Sequence, residues 1–220
     1  MTFEDFKKHF EQFAKLDTPE KLAFCKRKYK TYLQQQEDAD FFEPLEGRKN
    51  ADSVYENNLY DYLGFDKITK DQILFLAQPS FSPEYILVIE KSENRYLLTH
   101  RMMEESYWRI YFDKTDKIAE VITSMGYLSK TLGEQIFFII ETSIITARKH
   151  DPGYIVLDGT QFMLSKVVDG ARQDVFKHGL LEGSKTDRVT QMLLAVIKLT
   201  TEDNLPEVEK EIERLITLAE

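Results

Sequence analysis

The sequence predicts an α+β protein: an antiparallel sheet of about six strands, in two meanders, packed against helices. Three observations predict it. Phe3, Phe6, Phe10 and Phe13 recur at the spacing of one helical face. Residues 84–101 change to an alternation of period two. Asp158-Gly159 and Asp169-Gly170 supply the positive φ angles that tight hairpin turns need.

The first helix covers residues 3–15, with Thr2 as N-cap and Asp5 placed for a capping box. A second starts at Thr18, with Pro19 at the favoured first position. Its inward stripe is Leu22, Cys25, Tyr29, Tyr32 and Leu33, so the two helices form an antiparallel hairpin around an aromatic seam. Residues 38–66 hold Pro44, Gly47 and several Asn and Asp, and read as a connecting segment. Thr69 and Gln72 have capping-box spacing, which favours a short helix to Gln78. The run Ile73-Leu74-Phe75-Leu76 also fits a buried strand, and local pattern leaves that open.

Residues 84–91 and 95–101 are strands around the break Ser92-Glu93-Asn94, and 106–112 alternates Trp108, Ile110 and Phe112 as a third. Helices are expected over 115–125 and 132–149, the latter with Thr131 and Glu134 as its cap pair. Strands return at 153–157, 160–167 and 171–177. Ser184 then caps a helix facing inward through Val189, Met192, Leu193, Val196 and Ile197. The last helix opens near Asn204 and buries Val208, Ile212, Leu215 and Ile216. Lys114-Thr115-Asp116 and Lys185-Thr186-Asp187 each follow a set of strands, an echo that suggests a duplicated βββα unit or a chance match. The chain thus divides into a helical hairpin (1–37), the connecting segment (38–66) and an α+β domain (67–220) that shares its core with the rest.

Composition narrows the function classes. The 220 residues carry 38 acids against 29 bases, a net charge of −9, and one cysteine. A single cysteine excludes an intrachain disulfide scaffold. Nine Gly and six Pro exclude a collagen-like chain. Fifteen Phe and eleven Tyr give too much burial drive for global disorder. The charge sign speaks against a broadly basic nucleic-acid binder. No signal-like or membrane-length apolar run occurs, so the expectation is a cytoplasmic protein with no membrane association.

The sharpest candidate for chemistry is the stretch Gly179 to Thr186, between a strand and a helix. Gly183, Ser184, Lys185 and Thr186 would bind a phosphate through backbone N–H groups at the helix start. A phosphate loop places Gly directly before Lys, however, and here Ser184 stands there. The plain alternative is that Gly183 ends a turn, Ser184 caps the helix and Lys185 is solvated. His100 and Glu104 are four apart, but the alternation around them suits a strand, where they would not share a metal. Glu134, Glu141 and Arg148 recur every seven residues as a cleft or a solvated stripe. Lys26, Arg27, Lys28 and Lys30 form the densest basic cluster, next to Tyr29 and Tyr32. They would meet phosphates or make a solvated helix back. Cys25 lies on an apolar face, where it is inert packing. Tyr55, Tyr60 and Tyr62 sit among Asn and Asp, a composition suited to protein recognition or to sealing the segment onto the core.

The segments Pro79-Ser-Phe-Ser-Pro-Glu-Tyr and Leu157-Asp-Gly-Thr, with Trp108 between them, resemble uncharacterised bacterial α+β proteins that carry an "SFxPEY" start to a strand and an "LDGT" hairpin. The resemblance spans residues 79–190. It implies an α+β fold and a bacterial source, and it brings no activity and no catalytic residue.

The expectation is therefore a non-enzymatic protein-binding module, inhibitor or immunity-like, meeting a basic protein partner through an acidic surface. It calls for no cofactor, no metal and no catalytic residue. The alternatives are an enzyme binding a nucleotide or small molecule at 179–186, and an envelope protein whose signal was lost.

Overall fold

The computed structural model of the chain describes residues 1–12, 15–45, 54–64, 68–113, 119–149, 159–202 and 205–219. Its elements run α1 (Phe3–Glu11), α2 (Pro19–Asp38), β1 (Glu43–Pro44), α3 (Val54–Leu63), β2 (Gln72–Pro79), β3 (Tyr85–Lys91), β4 (Arg95–Met103), α4 (Tyr107–Phe112), β5 (Val121–Ser129), α5 (Lys130–Ile145), β6 (Thr160–Val168), β7 (Ala171–His178), α6 (Lys185–Lys198) and α7 (Leu205–Ala219). The strands form one antiparallel sheet in the order β1-β7-β6-β2-β3-β4-β5. The class is the expected α+β, with seven strands among the described residues where the sequence suggests about six.

Side-chain alternation gives the sheet two apolar faces. Ile73, Phe75, Leu87, Leu98 and Leu164 meet α5, α6 and α7 in the larger cluster. Leu74, Leu76, Ile86 and Met163 meet α3 and α4 in the smaller one. The sheet is thus a middle layer between helices. No described helix is long and apolar enough to cross a membrane.

The N-terminal hairpin forms as its sequence requires. The Thr2 hydroxyl accepts Asp5 N–H at 3.2 Å and the Asp5 carboxylate accepts Thr2 N–H. Thr18 caps α2, whose first residue is Pro19. Phe3 and Phe6 lie against Tyr29, and Phe10 against Phe24, at ring separations of 5.2 to 6.0 Å. The β6–β7 hairpin turns on Asp169 and Gly170, both at positive φ. Ser184 caps α6, and Val208, Ile212, Leu215 and Ile216 of α7 are buried.

Three expectations are corrected, and two segments whose form the sequence leaves open are filled in. Residues 72–79 are strand β2, the second of the two forms that local pattern leaves open; the run is buried on both faces at the middle of the sheet, a position local pattern cannot reveal. Thr69 N–H does donate to the Gln72 carboxamide, but in the turn before the strand. Residues 107–112 are helix α4, because their first amides bond a carboxylate remote in sequence. Residues 121–129 are strand β5, where the sequence predicts a helix as far as 125; pairing with β4 decides it. The following helix starts at Lys130, capped by Ser129 in place of Thr131. The connecting segment contains β1 and helix α3. The expected strand 153–157 and the first echo segment, 114–118, lie outside the described residues.

Candidate functional site

The best-organised surface lies on α3 and α4, and one buried acid organises it. Glu84 directly precedes β3 and is wholly buried. Its carboxylate accepts the Tyr55 hydroxyl at 2.9 Å, Tyr107 N–H at 2.8 Å and Trp108 N–H at 3.0 Å. Helix starts leave such N–H groups unpaired, and Ser106, at the N-cap position, makes no side-chain cap. Glu84 supplies that cap from across the fold, in three charge-assisted bonds.

Two layers of rings result. Tyr55 stacks on Tyr107 at 5.4 Å and meets Trp108 edge-on at 5.4 Å. Burial pushes the Tyr107 phenol up. Above them lie Trp108 and Phe112, one helical turn apart with ring centroids at 4.0 Å. Trp108 is 46% exposed, Phe112 53% and Tyr62 42%. Asp61, Glu104 and Asp113, all exposed, adjoin these rings in sequence. The arrangement is a supported apolar platform, suited to contact rather than to bond-making.

Of the three candidate tyrosines, the fold brings Tyr55 and Tyr62 to this platform, Tyr55 as its support and Tyr62 at its surface. Tyr60 turns inward, its hydroxyl 3.9 Å from the Met163 sulfur. Trp108 and Phe112 escape the sequence reading because strand alternation put them inside. Their i, i+4 spacing, read as a helix, is the signal that places both on one face.

The 179–186 stretch is a junction. Gly179 and Gly183 take positive φ. Gly183 N–H donates to the Asp187 carboxylate and Lys185 N–H to Asp40, both at 2.8 Å. The buried Thr186 hydroxyl donates to the Ala39 carbonyl at 2.6 Å. Carboxylates of the chain thus occupy the amides a phosphate would use. A cleft of about 200 Å³ lies alongside, lined in part by Gln35, Lys177 and Gly179. The buried Lys177 amine donates to the carbonyls of Asp38 at 2.6 Å and Phe41 at 2.9 Å. Burial lowers its pKa, while Glu43, Asp38 and Asp40 pull it back up. Lys177, Asp40 and Thr186 together tie the end of α2 to the sheet and α6.

The remaining candidates are scattered. His100 is buried on the α5–α7 side, its ring nitrogen 3.3 Å from the Ser124 hydroxyl, which donates to Thr200. Glu104 lies exposed beyond the end of β4. Among the described residues no group of three or more His, Cys, Asp or Glu is placed to hold a metal. Glu141 pairs with Lys166 at 2.7 Å, Arg148 pairs with Asp38 at 3.5 Å, and Glu134 is exposed. The sheet separates His100 and Glu141 from Trp108. Cys25 is wholly buried, and burial pushes its thiol up. Lys26, Arg27, Lys28 and Lys30 are exposed on α2, while Tyr29 and Tyr32 turn into the hairpin seam.

No protein-family model, no curated protein and no solved structure matches the chain.

Proposed function

We propose that the protein is a non-enzymatic, cytoplasmic protein-binding module, inhibitor or immunity-like, whose partner is a basic protein. The observation that carries this reading is the Trp108–Phe112 ring pair, half exposed yet held from beneath by Tyr55, Tyr107 and Glu84. A rigid exposed Trp loses little side-chain entropy on binding and is a common centre of interface energy. The exposed acids Asp61 and Asp113, next in sequence to Tyr62 and Phe112, would add to the net charge of −9 in steering a basic partner.

The experiment is affinity capture from the native host at low and high salt, with wild-type protein and a Trp108→Ala/Phe112→Ala variant. A basic protein should be retained by wild type at low salt and released at high salt. The variant should lose it, at a cost of about 2 kcal/mol or more in binding free energy. Equal retention by both proteins would remove the platform from the binding site.

A further inference from the structure

Among the described residues, the two edges of the sheet are built differently. One edge is β1, only two residues long, made of Glu43 and Pro44. Shortness, a charge and a missing N–H are the devices that stop an edge from pairing. The other edge is β5, nine residues long, with no charged residue and no proline. Ile122 is 51% exposed on it, Met125 64% and Tyr127 51%. Glu104 N–H donates to the Glu120 carbonyl. From that bond the antiparallel ladder alternates along β4 and β5. Even-numbered residues of β5 therefore turn their amides and carbonyls toward β4. Val121, Thr123, Met125, Tyr127 and Ser129 turn theirs outward.

We propose that β5 pairs with β5 of a second copy of this chain, antiparallel about a two-fold axis at Met125, joining two sheets into one. The strand complements itself when reversed, which is what a symmetric contact requires. Met125 meets Met125, and Thr123 of each copy faces Tyr127 of the other, a β-branched residue against an aromatic one. Glu120, just before β5, lies at the end of the new ladder where Lys130 of the other copy opens α5; both are exposed. The neighbouring strand agrees in sign, with Arg95 beside Ser129 and Glu104 beside Glu120. The acidic end of one edge thus meets the basic end of the other. An axis one residue earlier sets Glu120 against Leu128, and one residue later sets Lys130 against Ile122. Of these three axes, the one at Met125 brings the oppositely charged ends of the two edges closest. This charge pattern favours a second copy over an extended segment of another protein. The dimer goes beyond the partner-binding reading and uses a different surface.

The test is sedimentation velocity on the full chain at micromolar concentration, with thermal unfolding to confirm that each variant folds. Wild type should be a dimer. Met125→Lys sets two like charges at the axis and should weaken dimerisation by about a hundredfold or more. Glu120→Lys and Lys130→Glu should each weaken it about tenfold, since symmetry doubles every lost pair. The double reversal should restore it to within about threefold of wild type. Trp108→Ala/Phe112→Ala should leave the dimer intact, whatever it does to partner binding. A monomeric wild type, a dimer indifferent to Met125→Lys, reversals that do not compensate, or a dimer lost with the Trp108 and Phe112 rings would each overturn the proposal.

Discussion

The Glu84 carboxylate accepts the Tyr55 hydroxyl at 2.9 Å while its two oxygens also cap the first amides of α4. One buried side chain thus fixes two helices that are separated by three strands in sequence. Glu84→Ala would leave Tyr107 N–H and Trp108 N–H without their partner. It should lower the unfolding free energy by about 3 kcal/mol, with Glu84→Gln intermediate because one acceptor oxygen remains. Trp108 is the single tryptophan, so its fluorescence reports the platform directly during urea unfolding. An Ala variant as stable as wild type would show that Glu84 does not hold α4 in place.

The hairpin is tied to the sheet by the Lys177 amine, and Cys25 reports on that tie. Cys25 is wholly buried and its thiol is pushed up, so both access and thiolate population are low. Alkylation of the native protein should be slower than that of the unfolded chain by about a hundredfold or more. Lys177→Met removes both bonds to the end of α2 and should speed native-state labelling about tenfold. Mass spectrometry of the labelled chain measures it. Labelling unchanged by Lys177→Met would mean that other contacts hold the hairpin.

Stability should fall in mild acid through His100. Burial holds this imidazole below its ordinary value of 6.5. The unfolded chain takes up the proton first, so the loss begins as pH falls below 6.5 and ends at the lowered native value. The slope from this one group is at most about 1.4 kcal/mol per pH unit. Urea unfolding of wild type and His100→Gln, compared at neutral and mildly acidic pH, checks it. The difference between the two proteins should shrink as pH falls; a constant difference would acquit His100.

Gly133 lets α5 lie directly on the Tyr96 ring. A Cβ there would stand 2.0 Å from a ring carbon, and the ring is fully buried. Gly133→Ala should therefore destabilise by about 1 to 3 kcal/mol despite the better helix propensity of alanine. Thermal unfolding reads it directly. A gain in melting temperature would mean that the ring and helix part without cost.

Much of the fold is legible in local sequence. Thr2, Thr18 and Ser184 are caps because their hydroxyls bond amides three residues on. Asp169-Gly170 is a turn because both φ angles are positive. These signals are contained in a few consecutive residues. The candidate site was legible only in part. Tyr62 reaches the platform, but Trp108 and Phe112 were read as a strand, since alternation and a single helical turn look alike over seven residues.

Local sequence carries the α+β class, the N-terminal helical hairpin, the β3–β4 and β6–β7 hairpins, the helix starts at Thr2, Thr18 and Ser184 and the buried place of Cys25, all of which depend on periodicity and nearest-neighbour hydrogen bonds. Tertiary structure alone decided that residues 72–79 and 121–129 are strands, because a strand is completed by partners elsewhere in the chain. It alone decided that Glu84 caps α4, that Asp40 takes the first amide of α6, and that β5 is an edge of the sheet among the described residues. Each of these rests on a bond between distant residues, or on one left unmade, and no local pattern encodes it.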